Sequence, residues 1–279
     1  MMPRLIRSTQ APRAARSTAL ATTAALLLAL APLCACAQPP TPGGDNFETL
    51  SAASGNILDS GAFIISQYGK PVRVEEFAIQ RMGDTLLVRA ASMLSLPGEA
   101  AQPVDKSMIL LVGPFDFAMG KYSSQQILGP DTLRRGVVVT PGDTVMTVWR
   151  DINQIGVGEV RSLPPGRIYI LDPLLFNTFN FLGRTLHGKV CDRRPVKMFI
   201  LGARDSLVDA TVTDIGNETI RWGGRPVLTR KLVIADQQTS FTGWYSPDDG
   251  RMFRLEQVQS SIRVDRKAPP LKRQPPRTK

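Results

Sequence analysis

Short runs of alternating apolar and polar residues fill most of the chain between residues 61 and 266. Alternation with a period of two is typical of β-strands that bury one face and expose the other. The pattern predicts roughly a dozen strands at the spacing of an antiparallel sheet. The runs are GAFIISQY, VRVEEFAIQR, TLLVRAASM, SMILLVG, FDFAMGKY, LRRGVVVT, TVMTVWR, RIYIL, VKMFIL, LVDATVTDI, TIRW, VLTRKLVIA, TSFTGWY and RMFRLEQVQSSIRV.

Turn-forming residues separate the runs. Gly69-Lys70-Pro71 and Gly223-Gly224 each stand between two strand-like segments. In Ser246-Pro247-Asp248-Asp249-Gly250, proline presets φ, aspartate forms local hydrogen bonds, and glycine adopts the positive φ. These segments predict hairpins that connect strands which are neighbours in the chain.

Two of the runs change the phase of their alternation, one at Glu75-Glu76 and one near Gln257. A change of phase is typical of a β-bulge, which adds a residue to one strand and bends the sheet. Long strands that bend favour a sheet that curls over its own apolar face. The sequence therefore predicts a mainly β fold, in which one antiparallel curved sheet of residues 61 to 266 forms an open or half barrel.

One segment, DPLLFNTFNFLGRTLHG at residues 172 to 188, has a helical rather than a strand pattern. Asp172 can cap a helix, Pro173 suits its first position, and Gly188 suits the residue after its end. The polar residues fall on one narrow stripe, and they are Asn177, Asn180, Arg184 and His187. The remaining surface is apolar, so a helix over residues 173 to 187 must be covered on most sides. A sheet that curls around the helix provides that cover.

Two roles for this helix follow from its apolar surface. In the first, the helix is simply a principal part of the core, because each buried large apolar side chain contributes roughly 1.5 to 3 kcal/mol. In the second, the helix lines or closes a cavity that takes an apolar ligand. The candidate ligand-binding residues in that case are Leu175, Phe176, Phe179, Leu182 and Leu186.

The N-terminus has the features of an export signal. Four arginines and no acidic residue precede a stretch from Ala19 to Leu33 that contains only Ala, Leu, Thr and one Pro. A positive segment followed by an apolar segment too short to span a bilayer is typical of a secretory signal peptide. We therefore expect residues 1 to 37 to be a signal peptide and the protein to be exported to the bacterial cell envelope.

Two processing routes fit the end of this signal. Ala35-Cys36-Ala37 before Gln38 satisfies the small-x-small rule of the ordinary signal peptidase. Leu33-Cys34-Ala35-Cys36 resembles the lipobox of bacterial lipoproteins, which implies that Cys36 becomes the lipid-modified first residue. Two or three acyl chains on Cys36 would anchor the protein stably in a membrane. The sequence leaves both a periplasmic protein and a membrane-anchored lipoprotein open.

The net charge of +10 lies mostly at the two ends of the chain. Four of the positive charges are the signal arginines and five lie in the last thirteen residues, which leaves +1 for the rest. A nearly neutral body has no surface that follows phosphates, so we expect no nucleic-acid partner. Residues 38 to 60 are predicted to be a Pro/Gly linker. Residues 267 to 279 are predicted to be a basic, Pro-rich disordered tail that can contact anionic lipids.

The sequence contains few residues that could support catalysis or metal binding. Cys191 is the one cysteine certain to remain in the domain after processing, and we interpret it as a single thiol in a loop. His187 is the only histidine, and it lies on the polar stripe of the predicted helix, where we expect a surface or hydrogen-bonded role. We therefore expect no metal, no cofactor and no enzymatic activity.

One catalytic alternative stays open at Asp59-Ser60-Gly61-Ala62. With the two apolar residues before it, this segment resembles the active-site turn of retroviral-type aspartic proteases. In that chemistry two carboxylates share a proton and activate water, so a single Asp-Ser-Gly turn would require a homodimer. The competing interpretation is an ordinary entry into the first predicted strand.

The combination of a signal or lipobox, a half barrel and an apolar helix resembles the bacterial periplasmic carriers of lipoproteins and lipoglycolipids. That resemblance implies an open barrel, plugged by a helix, that binds acyl chains. FIISQYGKPVRVEEFAIQR and FTGWYSPDDGRMFRLE also resemble exported domain families of unknown function, which carry a similar G-x-x-V-x-x-E-x-F pattern and a late W-Y-x-x-x-D-G hairpin. The implied function is a non-enzymatic envelope protein that binds an apolar or lipidic ligand. A structural or interaction protein with a packed barrel is the alternative.

Overall fold

The computed structural model describes residues 56–93, 104–113, 119–139, 144–165, 168–186, 192–202 and 204–269. Within these ranges the chain forms one helix, α1 (Asn177–Leu186), and fifteen strands. The strands are β1 (Asn56–Gln67), β2 (Lys70–Met82), β3 (Thr85–Met93), β4 (Val104–Val112), β5 (Met119–Leu128), β6 (Asp131–Val139), β7 (Val145–Ile152), β8 (Ile155–Ser162), β9 (Ile168–Leu171), β10 (Arg193–Ile200), β11 (Ser206–Trp222), β12 (Arg225–Ala235), β13 (Ser240–Tyr245), β14 (Met252–Gln257) and β15 (Ile262–Arg266).

All fifteen strands belong to a single sheet with two arms. One arm runs from β1 to β8 and the other from β15 back to β9, and the pairing of β1 with β15 joins them. Most neighbours in the sheet are also neighbours in the chain and pair antiparallel, as expected for a series of hairpins. The one parallel pair is β9 with β10, and the segment between those two strands contains α1.

Contacts between distant strands show that the sheet curls. The main-chain N–H of Ile170 in β9 donates to Sδ of Met119 in β5 at 2.8 Å. The guanidinium of Arg135 in β6 donates to the carbonyl oxygen of Gly202, just after β10, at 2.6 Å. The two arms therefore face each other, while β8 and β9 remain the two ends of the strand order. The predicted mainly β fold, an antiparallel curved sheet that forms an open barrel, is confirmed.

Several predicted elements agree closely with the structure. Strand β3 has the predicted bounds, and the turn at residues 246 to 250 places Gly250 at a φ of +70°. The first strand begins at Asn56, before the predicted domain boundary at Gly61. The signal peptide, Cys36, most of the predicted linker and residues 270 to 279 of the tail lie outside the described residues.

The predicted bulge at Glu75-Glu76 is wrong. Residues Val74 to Met82 of β2 pair with β3 without a register shift. The interpretation assumed that interior positions are apolar, whereas the buried side chain of Glu75 continues the interior row of Phe77 and Ile79. The alternation is therefore unbroken. The register shifts between β1 and β2 lie elsewhere, at Ile57/Asp59 and Ile65/Ser66.

The phase change near Gln257 marks a hairpin instead of a bulge. The last predicted run covers two strands, β14 and β15, which are joined by a turn through residues 258–261. The converse happens at β11, where the two predicted runs LVDATVTDI and TIRW form one continuous strand. This strand has a register shift between Asp214 and Gly216. Strand β8 has no counterpart among the predicted strands, because Gly156 and Gly158 disrupt its alternation and glycine is rare in strands.

Helix α1 lies inside the curled sheet and starts later than predicted. It begins at Asn177 instead of at residue 173, because Asp172 holds the preceding residues in turns. The Asp172 carboxylate accepts the N–H of Leu174 at 3.0 Å, and its carbonyl oxygen accepts the N–H of Leu175 at 3.1 Å. The predicted end at Gly188 lies outside the described residues, as does His187. In the described part of the chain, no helix has the length and apolar character needed to cross a bilayer.

Candidate functional site

The N-terminus of α1 is capped by a carboxylate from a distant strand. Glu75 in β2 is fully buried, and its two oxygens accept the main-chain N–H groups of Phe176 at 2.6 Å and Asn177 at 2.8 Å. The first N–H groups of a helix have no partner within it, and a negative charge there is favoured by the helix dipole. The pKa of Glu75 is nevertheless raised to about 8, because burial and, to a smaller extent, the nearby charge of Asp172 outweigh these hydrogen bonds, which lower it.

A second buried carboxylate lies beside this cap. Asp172 is fully buried and pairs with Lys106 of β4, whose Nζ lies 2.8 Å from Oδ1 and 2.7 Å from Oδ2. The hydroxyl of Tyr122 in β5 donates to Oδ2 of the same carboxylate. Burial raises the pKa of the Tyr122 hydroxyl well above its usual range, and the charge of Asp172 adds to that rise, so the phenol stays a donor. The turn before α1 is therefore tied to two strands of one arm.

The polar stripe of α1 contacts the other arm. Asn180 is fully buried, and its Oδ1 accepts the main-chain N–H of Met252 in β14 at 2.7 Å. Its Nδ2 donates to Oδ1 of Asn177 at 3.1 Å, so that the two asparagines orient each other. Asn177 and Asn180 of the predicted stripe thus lie inside the protein, where Asn180 replaces a hydrogen bond to water with one to the sheet.

The C-terminal half of α1 is held by a shared aspartate. Arg184 donates to Oδ2 of Asp59 in β1 at 2.7 Å. Arg266 of β15 donates to the same oxygen at 3.2 Å and also pairs with Oδ1. Asp59 and Arg266 are both more than nine-tenths buried. One carboxylate therefore connects α1 to the two strands that join the arms.

A close backbone contact completes this attachment. A Cβ atom at Gly183 would lie 2.1 Å from Cδ1 of Tyr245 and 2.5 Å from the carbonyl oxygen of Gly250. Both distances are shorter than any real Cβ contact, so only glycine lets α1 approach β13 and the following turn this closely. Gly183 is thus a packing residue at the point where the helix meets the sheet.

The five residues predicted to bind an apolar ligand are brought together in the interior. Leu175, Phe176, Phe179, Leu182 and Leu186 are between 0 and 5% exposed and belong to one cluster with side chains from both arms. The ring of Phe179 lies 4.8 Å from the ring of Phe241, which follows the start of β13. Both proposed roles, a packed core and a ligand-binding surface, require these five residues to be buried. Their burial therefore does not distinguish the two roles, and ligand binding stays a prediction.

No known family model, curated protein or solved structure matches this chain. The resemblance to carriers of lipoproteins and lipoglycolipids therefore stays a prediction from the sequence. What the site can do follows from the geometry of α1 and its contacts with the sheet.

Asp59, the candidate catalytic residue of the aspartic protease alternative, is occupied by two guanidinium groups. Its segment is part of β1, and its two oxygens accept from Arg184 and Arg266. A proton-sharing pair needs a carboxylate that faces a second carboxylate. The protease stays an untested alternative, and the contacts of Asp59 explain its burial without it. Cys191 lies outside the described residues.

Sequence reasoning missed the residues that hold the helix. Glu75, Lys106 and Tyr122 each lie on the interior face of a strand, where a charged or polar side chain is unusual. A sequence signal for such residues does exist. It is an ionisable residue followed, two and four residues later, by apolar residues that will face the interior of the same strand. Glu75 before Phe77 and Ile79 shows that signal most clearly.

We expect Asp59→Ala to lower the free energy of unfolding by about 2 to 3 kcal/mol, because it leaves two mostly buried guanidinium groups without their shared carboxylate. Urea unfolding followed by circular dichroism measures the change. Asp265→Ala is the matched control, because Asp265 also pairs with two arginines, Arg254 and Arg263, but is 34% exposed. Its loss should be at most about 1 kcal/mol. Equal losses for the two variants would contradict the importance of the Asp59 cluster.

Proposed function

We propose that this protein is an exported, non-enzymatic protein of the cell envelope that binds an apolar or lipidic molecule inside its open barrel. The ligand packs against the apolar side of α1, at Leu175, Phe176, Phe179, Leu182 and Leu186. The observation that carries the proposal is the way α1 is held: its N-terminal N–H group, Asn180 and Arg184 bond to strands of the sheet, while its apolar side chains are only packed against the interior.

The attachment points lie along one side of the helix. Glu75 and Asp172 hold its N-terminal end, Asn180 its middle, and Arg184 its C-terminal half. These contacts leave the opposite side joined to the barrel wall by apolar contacts, which are not directional. An acyl chain offers the same kind of contact, so it can take the place of side chains that move aside without breaking a hydrogen bond.

The short length of α1 supports the same proposal. A helix of ten residues is not stable on its own in water, so α1 depends on the surrounding sheet for its structure. The unclosed barrel adds a route into the interior, because β8 and β9 at its two ends are not paired with each other.

A photoreactive fatty acid tests this proposal. A chain with about twenty non-hydrogen atoms, at roughly 0.3 kcal/mol per atom, should bind with a Kd of roughly 10 to 100 μM. After irradiation, peptide mass spectrometry should locate the label on α1 or on strands that face it. Lipid extraction of the protein purified from its native envelope should also yield a bound molecule. The intact mass of the same sample would show whether Cys36 carries a lipid.

The position of the label separates interior binding from adhesion to the surface. Tyr68 and Val258 are apolar residues at exposed turns, with 76% and 78% of their surface accessible, and they serve as internal controls. Label confined to such turns, or no saturable labelling together with no extracted lipid, would overturn the proposal. An excess of unlabelled fatty acid should remove the label from α1 and leave any surface label unchanged.

The second candidate is a structural or interaction protein with a packed barrel. The near-complete burial of the five apolar residues favours it, since a tightly packed interior leaves little space for a ligand. In that case the labelling experiment gives no signal in the interior. The protein would then act through its outer surface.

A further inference from the structure

We propose that β8 joins two copies of this chain edge to edge, so that two barrels share one continuous sheet. Strand β8 is the last strand of its arm and pairs with β7 alone. Seven of its eight residues are exposed, and the exception is Arg161, which lies over the ring of Phe199 and donates to the carbonyl oxygen of Asp205. Its apolar side chains are accessible to an unusual extent: Ile155 is 83% exposed, Val157 75% and Val160 67%.

The backbone of β8 has hydrogen-bonding groups that point away from the sheet. The N–H of Leu163 donates to the carbonyl oxygen of Thr144 at 2.7 Å, so the odd-numbered residues of this strand face β7. The N–H and C=O groups of Gly156, Gly158, Val160 and Ser162 therefore face outward. An open edge of this kind is a template for another strand, and soluble proteins usually protect it with charges or proline.

The other end of the sheet is protected. The four residues of β9 are between 1 and 8% exposed, and the N–H of Ile170 already donates to Met119. On β8, the residues Ile155 to Gly158 carry no charge, and Pro164 comes only after the strand has ended. Of the two ends of the sheet, β8 alone is open to a partner strand.

The sequence of β8 is complementary to itself in one register. When two copies pair antiparallel with Val160 opposite Val160, each Glu159 lies opposite Arg161 of the partner subunit. Val157 then faces Leu163 and Gly158 faces Ser162, so apolar residues meet apolar residues and outward backbone groups meet outward backbone groups. Pairing centred on residue 159 would place like charges opposite each other, and so would pairing centred on residue 161. Opposite-charge pairs across strands stabilise a sheet and like-charge pairs destabilise it. The charges of Glu159 and Arg161 therefore favour the pairing in which Val160 lies opposite Val160 of the partner subunit.

Sedimentation velocity of the exported protein tests the proposal. We expect a monomer–dimer equilibrium in the micromolar range, with Val160→Lys raising the dimer Kd roughly tenfold or more through two lysines at the symmetry axis. Val258→Lys is the matched control, since it adds the same charge at an equally exposed valine far from β8 in the sheet order. It should leave the Kd unchanged. Circular dichroism confirms that both variants are folded.

A charge exchange between two variants tests the register. Glu159→Arg and Arg161→Glu should each weaken self-association, because each places like charges opposite each other. An equimolar mixture of the two variants should dimerise about as well as the natural chain, since every pair then has opposite charges. A natural chain that stays monomeric at several hundred micromolar overturns the proposal. A dimer that Val160→Lys leaves intact, or variants whose mixture does not associate, also overturns it.

Discussion

Asp172→Ala should lower the free energy of unfolding by about 3 to 5 kcal/mol, the range measured when one partner of a buried ion pair is removed. Lys106 is 4% exposed and Asp172 is fully buried, so the substitution leaves an ammonium group inside the barrel without its carboxylate. Tyr122 loses its hydrogen-bond acceptor at the same time, and the turn before α1 loses the bond from Leu174. Guanidinium unfolding, with the midpoint and the slope both measured, provides the value.

Asp209→Ala is the control for this prediction. Asp209 accepts from Nζ of Lys197 at 2.6 Å, which is as short as the buried pair, but its side chain is 84% exposed. Its removal should change stability by no more than about 1 kcal/mol. Adding Lys106→Met to Asp172→Ala should recover part of the loss, because the unpaired charge is then gone. A loss below 1 kcal/mol for Asp172→Ala would show that the ion pair does not secure the helix.

Glu75 should make the protein less stable as the pH rises from about 4.5 to about 8. Burial raises the pKa of this carboxyl from 4.5 to about 8, so the folded protein holds the proton more tightly than the unfolded chain does. The stabilisation is fully present below pH 4.5 and is lost as the pH passes through the folded-state pKa. At 1.36 kcal/mol per pKa unit, the total change is on the order of several kcal/mol.

The difference in stability between the natural chain and Glu75→Gln isolates this contribution. Glutamine does not titrate, so the advantage of the natural chain should shrink by about 3 to 5 kcal/mol between pH 5 and pH 8. Urea unfolding at a series of pH values measures it. Glu76→Gln serves as the control, because Glu76 is the next residue in β2 and its side chain is exposed. A constant difference between the natural chain and Glu75→Gln across that range would refute the raised pKa.

The elements that could be predicted from the sequence are those in which apolar burial alone decides the structure. Strand β3 has the apolar run Leu86 to Val88 followed by alternation to Met93, and its bounds were predicted correctly. The apolar surface of the segment around Phe179 correctly predicted a helix enclosed by the sheet. In both cases the large side chains that enter the core are apolar and stand close together in the chain, so a local pattern predicts them.

The elements that could not be predicted are those in which a distant contact decides the structure. The start of α1 depends on Asp172 and on Glu75, and Glu75 lies about a hundred residues earlier in the chain. A local pattern contains no information on such a contact, so Glu75 was interpreted as a sign of a bulge. Strand β8 was missed for a different reason: Gly156 and Gly158 disrupt its alternation, and seven of its eight residues are exposed, so it has no buried apolar row.

The seam between β1 and β15 has a mechanical consequence. The chain enters the barrel through β1 and leaves it through β15, and these strands are antiparallel neighbours whose outer ends lie side by side, with the N–H of Lys267 bonded to the carbonyl oxygen of Ala62 at 2.8 Å. A force applied between the two ends of the domain would therefore pull β1 and β15 apart from their outer ends and break their hydrogen bonds one after another. It would not have to shear all the bonds of the pair together, so tension would part the two arms before it disrupted either one.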